Sequence, residues 1–319
     1  MFNKLIIHLS KIRQNILNIK SRTDRKIISV VKANAYGHNA VKVVNYVQDI
    51  VDMFAVANLY EAKALIMGGI TKNILVLSKT IDYDTSYSNI IYMVDNIHNL
   101  PHRARVHIAI NSGMNRYGVD SQKKFLALYR QLKRKHNSVE GLFSHFYSSS
   151  PTNCTRQIKK FNEIVGNINL PTHFSSSHSL DIDFPQDYVR LGICQYIASK
   201  EIHTQIVELH RLKKGDHIGY GRTRAKRDCT IAVLPIGYAD GLDLRLSNKW
   251  QVTINGKACN LVGKICMDCC FAIVDIRAKV GDEVIFYDGD IDKITNATHS
   301  TEYEQMCRLY GERYEIIFD

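Results

Sequence analysis

The amino-acid sequence predicts an α/β fold: a (β/α)8, TIM-like barrel over residues 1–200, then a mostly β domain over residues 201–319. Eight short β-branched runs fall in the first 200 residues, with amphipathic helical stretches in several of the gaps. Beyond about residue 200 strand-like runs follow one another directly, separated by turn signals such as NGK and DGD. A chain of 319 residues is long enough for two such domains.

The first helix is expected in SKIRQNILNIK, with Ser10 as its N-cap and Ile12, Ile16 and Ile19 on one face. The runs expected to form the barrel are 26–31, 53–57, 73–78, 90–94, 105–110, 139–146, 171–176 and 187–193. Helical periodicity fills the gaps with NAVKVVNYVQDI, LYEAKALIMGG, SQKKFLALYRQLKRK and TRQIKKFNEIVGNI. The segments after the third, fourth and seventh runs are too short to be read as helices. In the later domain the expected strands are TIAVLPIG, WQVTINGKA, NLVGKICM, CFAIVDI and DEVIFYDG, with one helix near 299–310. Residues 1–9 are left able to pair with that domain.

Composition excludes several classes. No apolar run approaches the roughly 18 residues that cross a bilayer, and the N-terminal MFNKLIIHLSKIR is too short in its apolar part for a signal peptide. A cytoplasmic protein with reduced thiols is expected from this and from eight scattered cysteines. CMDCC contains C-x-x-C, but no second ligand pair accompanies it, so no metal site is expected. The net charge of +11 is spread along the chain without a nucleic-acid motif, which argues for solvated surface and against nucleic acid.

Barrel enzymes work at the C-terminal ends of their strands. There the sequence places Lys32 after the first run, Arg116 past the fifth and His145 at the end of the sixth. Ser175, Ser176 and Ser177 follow the seventh run, and Arg190 and Gly192 lie on the eighth. Each alone has a plainer explanation as a surface lysine, a satisfied histidine or loop serines. Together, a lysine that can form a Schiff base, an arginine and an anion cradle point to pyridoxal 5′-phosphate.

These stretches resemble the alanine racemase family. SVVKANAYGH is similar to its cofactor-lysine motif, and INSGMNRYG, GLFSHF, VRLGI, GYGRT, IGYADG, GKICMD and TEYEQM follow in the family's order over nearly the whole chain. The resemblance implies an isomerase that interconverts L- and D-alanine through a pyridoxal phosphate Schiff base and supplies D-alanine for peptidoglycan. Lys32 would hold the cofactor, His145 would lie beside its ring and Arg190 would bond the ring nitrogen. Tyr36, Ser177, Gly192, Ile193 and Tyr303 would hold the phosphate, with Ser176 next to them. Tyr220 would be the second acid/base, while Arg116 and the Met267 backbone would receive the substrate carboxylate. Tyr238 would shape the entrance. In the family Tyr220, Tyr238, Cys266, Met267 and Asp268 come from the partner subunit, which implies a homodimer with shared sites. The alternatives are a racemase of this build for serine, lysine or a broad set of amino acids, or a cofactor-binding paralogue with little turnover.

The chain departs from the family in three places. A lysine carrying a carbamate is replaced by Ala109, and the aspartate two residues on by Asn111. An Asn-Ser pair near the phosphate reads Ser176-Ser177. The chain is also shorter than the family norm, and its terminal YGERYEIIFD lacks the usual arginine pattern.

Overall fold

A computed structural model of the chain describes residues 2–180 and 184–319. It separates into two compact units: Asn15–Ala35 with Asn39–Gln195, and Met1–Gln14 with Tyr36–His38 and Tyr196–Asp319.

The first unit is a closed, all-parallel barrel of eight strands. In chain order they are Lys26–Val30, Met53–Val56, Ile74–Val76, Ile90–Val94, Arg105–Ala109, Ser138–Phe143, Thr172–His173 and Tyr188–Leu191. Closure comes from the first and last, with Lys26 opposite Tyr188 and Ser29 opposite Leu191. Strands buried on both faces read as continuous apolar runs, and the Ile90–Val94 strand is buried at every position. The helices Ala40–Val47, Leu59–Met67, Gln122–Arg134 and Pro151–Val165 fill four of the crossovers. Asn39 and Asn58 cap the first two through their side chains, accepting from Lys42 N and Glu61 N. Inside the closing seam Gln195 accepts from Ser29 Oγ at 2.7 Å and donates to the carbonyls of Val30 and Leu191.

The second unit holds a six-stranded sheet in the order Lys257–Asn260, Gln251–Ile254, Glu283–Tyr287, Lys200–Gln205, Lys4–Ile7, Glu315–Phe318. A three-stranded sheet of Glu208–Leu212, Cys229–Leu234 and Cys270–Val274 accompanies it. The N-terminal strand Lys4–Ile7 is thus stitched between Lys200–Gln205, antiparallel, and Glu315–Phe318, parallel. No described helix is long and apolar enough to cross a membrane.

Local expectations fail where tertiary bonds outweigh propensity. Ser10 is not an N-cap: the helix runs Leu9–Lys20, and the His8 carbonyl already accepts from Ile12 N. The single late helix is two, Ile291–Thr298 and Glu302–Arg308, because His299 adopts a left-handed conformation and Thr301 recaps the second by accepting from Glu304 N. NLVGKICM does not run as a strand. Asn260 ends the strand Lys257–Asn260 and Leu261 makes a bridge to Ala272, after which the backbone of Cys266 and Met267 turns to bond another loop.

Candidate active site

Lys32 begins the element Lys32–Gly37, directly after the strand Lys26–Val30. Ala33, Asn34, Ala35 and Tyr36 all have φ between 51° and 54°, so the turn is left-handed. For L-residues with a Cβ this costs roughly 1–2 kcal/mol each, and specific bonds hold it. Ala35 N donates to Val31 O at 2.9 Å, Ala33 N to Glu61 Oε1 at 2.9 Å, and Ala40 N to Asn34 Oδ1 at 2.8 Å. Glu61 also accepts from Ala57 N, tying the turn to the next strand end. An apolar strand ending on one lysine is therefore the entry to a strained, over-determined turn.

Arg190 is buried in the last barrel strand, and its guanidinium is fixed on two sides. Nη2 donates to the carbonyls of Ser144 and Phe174, both at 2.7 Å, and lies 3.0 Å from His145 Nδ1. Nη1 lies 2.6 Å from His173 Nδ1, and His173 Nε2 lies 3.0 Å from His107 Nδ1. None of these bonds uses Nε. Since the arginine only donates, it fixes His173 as the Nε2–H tautomer, and His173 can donate onward to His107. Burial pushes all three histidines toward the neutral form: His107 to about 4, His173 well below the ordinary range, and His145 to about 3. After burial, the positive charges of Arg190, Arg116 and Lys32 act on His145. The site residues Lys32, Arg116, His145 and Arg190 are thus gathered at one barrel end. Arg190 itself is pushed down to about 9, first by burial and then by Arg116, and stays protonated at neutral pH.

His107 and His173 were missed by the sequence reading. Their signal was a histidine inside each of two β-branched runs, and room for one comes from Gly141, where a Cβ would lie 2.7 Å from the His107 ring.

Arg116 is exposed, and Asn111 is committed to its own turn, its Oδ1 accepting from Gly113 N and Asn115 N. Ala109 is buried in an apolar cluster with Met93, Phe143 and the partly buried Leu77. That position holds no charge and lies among hydrocarbon.

Beyond the seventh strand Ser176 N and Ser179 Oγ close a tight turn at 2.8 Å. The backbone N–H groups of Gly192 and Cys194 both donate to Ser177 Oγ, at 3.1 and 3.2 Å. The two N–H donors thus converge on the Ser177 hydroxyl and tie the turn after the seventh strand to the end of the eighth. Ile193, between them, is buried. At one barrel end there are thus the Lys32 amine, the Ser177 turn and Arg190, whose Nε–H has no partner among the described residues.

The second unit carries the other named residues. Tyr36 and Tyr303 meet there with ring centroids 6.1 Å apart. Tyr220 tips the hairpin of His217–Ile218 and Thr223–Arg224, flanked by Gly219 and Gly221 at φ 57° and 80°, and is 72% exposed. Tyr238 N and Ala239 N donate to the carbonyls of Cys266 and Met267, both at 3.0 Å, so IGYADG and GKICMD form one surface. Gly237 permits this approach, since a Cβ there would lie 2.3 Å from Met267 O. Arg313 reaches Asp268 Oδ1 at 2.8 Å and Asp240 Oδ1 at 3.2 Å, so the terminal segment braces that surface.

The profile described as "Alanine racemase, N-terminal domain" matches residues 7–200, and "Alanine racemase, C-terminal domain" matches residues 200–318. The chain is 30% identical over 353 residues to an alanine racemase of Staphylococcus epidermidis, covering 96% of this chain and 92% of the relative. It is 32% identical to alanine racemase 1 of Clostridium acetobutylicum, covering 98% and 96%. Among solved structures, an alanine racemase of Clostridium difficile superposes with a TM-score of 0.90 at 28% identity, covering 100% of this chain and 96% of that one. The alanine racemase of Bacillus anthracis with bound L-Ala-P gives 0.89 at 26% identity, covering 100% and 95%.

Proposed function

The chain belongs to the alanine racemase family and interconverts L- and D-alanine, and from that premise we propose that Lys32 and Tyr220 move its protons with pyridoxal 5′-phosphate as cofactor. When bound, that cofactor supplies an electron sink that makes the α-hydrogen of the amino acid acidic. Inversion then needs one group to take the α-proton and another to return a proton on the opposite face. Lys32 Nζ and Tyr220 Oη are assigned these two roles.

The observation that carries the reading is buried Arg190, fixed 3.0 Å from His145, a histidine on which the charges of Arg116 and Lys32 also act. Three cations acting on a histidine kept neutral form a site for a ligand with more than one anionic group. Arg190 would offer its unused Nε–H to the ring nitrogen. A protonated guanidinium donates and cannot give up its proton easily, so a ring nitrogen bound there would stay unprotonated and transamination would be discouraged. Ser176, Ser177, Gly192, Ile193, Tyr36 and Tyr303 are assigned to the phosphate, with His145 beside the ring. Arg116 and the Met267 backbone are assigned to the alanine carboxylate.

Tyr220, Tyr238 and Met267 are exposed on the chain, at 72%, 41% and 53%. We propose that they, with Cys266 and Asp268, serve the site of a second copy in a homodimer. Residues 1–200 would then carry the cofactor and residues 201–319 complete the partner's site. All eight cysteines are free thiols, as a reducing compartment keeps them, and the cytoplasm is the proposed location, with D-alanine for peptidoglycan as the product's use.

The test is exchange of the alanine α-hydrogen in deuterated water. Tyr220→Phe should retain cofactor absorbance and lose racemisation by about 10²–10⁴-fold, with unequal effects on the two enantiomers. Borohydride reduction should attach a pyridoxyl group to Lys32. A label on another lysine, or Tyr220→Phe turnover near wild type, would reject the assignment.

A further inference from the structure

Lys200 opens the strand Lys200–Gln205 and is 1% exposed, yet among the described residues it has no carboxylate as a hydrogen-bond partner. Its ammonium donates to three main-chain carbonyls instead: Met306 O and Leu309 O at 3.0 Å, and Tyr36 O at 3.2 Å. Burial pushes the group down to about 7, and when it is protonated its three donors meet these three acceptors. Two of the carbonyls end the helix Glu302–Arg308, whose second residue is Tyr303. The third belongs to Tyr36, in the left-handed turn.

One side chain therefore ties together the backbones that carry two phenols whose rings lie 6.1 Å apart. His38 Nδ1 lies 3.1 Å from the same Tyr36 carbonyl, on the side stacked against Tyr196. Gly37 leaves the room, because a Cβ there would stand 3.1 Å from Lys200 Nζ and 2.9 Å from Tyr310 Cβ.

Stability alone does not ask for this charge. Withdrawing an ammonium from water costs several kcal/mol, and a buried ion can often be replaced by an apolar side chain of similar volume without loss. Methionine would fill the same space. What methionine cannot do is hold three carbonyls at one point.

We propose that Lys200 is a positioning residue for the cofactor phosphate, fixing the backbones of Tyr36 and Tyr303 at the spacing that lets both hydroxyls reach one phosphate group. The proposal rests on the assignment of those tyrosines to the phosphate made above. It adds that their geometry depends on a buried lysine whose bonds go to main-chain carbonyls of the protein.

The test compares pyridoxal 5′-phosphate with pyridoxal, which forms the same bond to Lys32 but lacks the phosphate. Binding is read from absorbance on the purified full chain. Lys200→Met should weaken pyridoxal 5′-phosphate by about tenfold or more, the size of a lost charge-assisted bond, and leave pyridoxal unchanged. Amide hydrogen exchange should accelerate across residues 302–309 and 36–38 and stay unchanged in the barrel. Equal weakening of both compounds would reduce Lys200 to a structural role and overturn the proposal, as would wild-type affinity for both. If Lys200→Met does not fold, Lys200→Gln, which still offers two donors, is put through the same comparison with the same two overturning results. A wild-type chain that binds pyridoxal 5′-phosphate no better than pyridoxal would instead reject the phosphate site itself, leaving the two failures distinguishable.

Discussion

Arg190 Nη1 lies 2.6 Å from Nδ1 of His173, and this contact dictates the protonation of a buried chain that ends at His107. An arginine can only donate, so His173 must accept there and stay neutral. A charged His173 would present a proton to the guanidinium, and a charged His107 would present one to the Nε2–H of His173.

A pH dependence of stability follows. His107 and His173 titrate below their unfolded value of 6.5. Above that value both states are neutral and the stability is intact. As pH falls below 6.5 the unfolded chain takes up protons that the folded chain refuses, so stability is lost, by up to about 1.4 kcal/mol per pH unit for each histidine. Urea unfolding should show this decline between pH 6.5 and about 4. Replacing His107 with Asn should flatten the slope; an unchanged slope would exclude His107 from the linkage.

Shared sites can be tested by mixing. Lys32→Ala and Tyr220→Phe should each be inactive alone, and unfolding and refolding the mixture should restore activity through hybrids with one intact site. A dilute sample shown by ultracentrifugation to be monomeric yet fully active would contradict the dimer.

Activity should be independent of added bicarbonate, because Ala109 stands where a carbamate-forming lysine would be needed. Ala109→Lys would push an ammonium into the cluster of Met93, Phe143 and Leu77. The thermal midpoint should fall by several degrees, as a buried unpaired charge costs several kcal/mol. A midpoint equal to wild type would show that the cluster admits a charge.

Gly237→Ala should damage substrate recognition without touching the cofactor. Its Cβ would stand 2.3 Å from Met267 O and 2.4 Å from Cys266 O, so the two loops must part. A displacement of that order in a substrate-positioning loop can cost about a hundredfold in kcat/KM. Cofactor absorbance should be unchanged, and retention of wild-type kcat/KM would remove the Met267 backbone from the alanine site.

The barrel was legible because strands such as Met53–Val56, Ile74–Val76 and Ile90–Val94 are continuous apolar runs, a signal that is local and strong. The later domain was less so. Lys200–Gln205, Glu208–Leu212 and Glu315–Phe318 alternate or carry several polar residues, and they become strands through partners distant in sequence. NLVGKICM reads as a strand by propensity and is a loop because Gly237 lets another backbone take its hydrogen bonds.

The sequence by itself determined the barrel, the family and the residue types of the site, since these rest on periodicity and on ordered motifs. Tertiary structure decided the rest. Only folding makes ANAY, residues 33–36, left-handed, since Glu61 and the carbonyl of Val31 hold a conformation that alanine avoids alone. Only folding turns His107 and His173 into a neutral relay behind Arg190, and Lys200 from one surface-type residue among many into a buried clamp. Charge state and hydrogen-bond partner depend on which groups share a space without water, and a linear pattern does not carry that information.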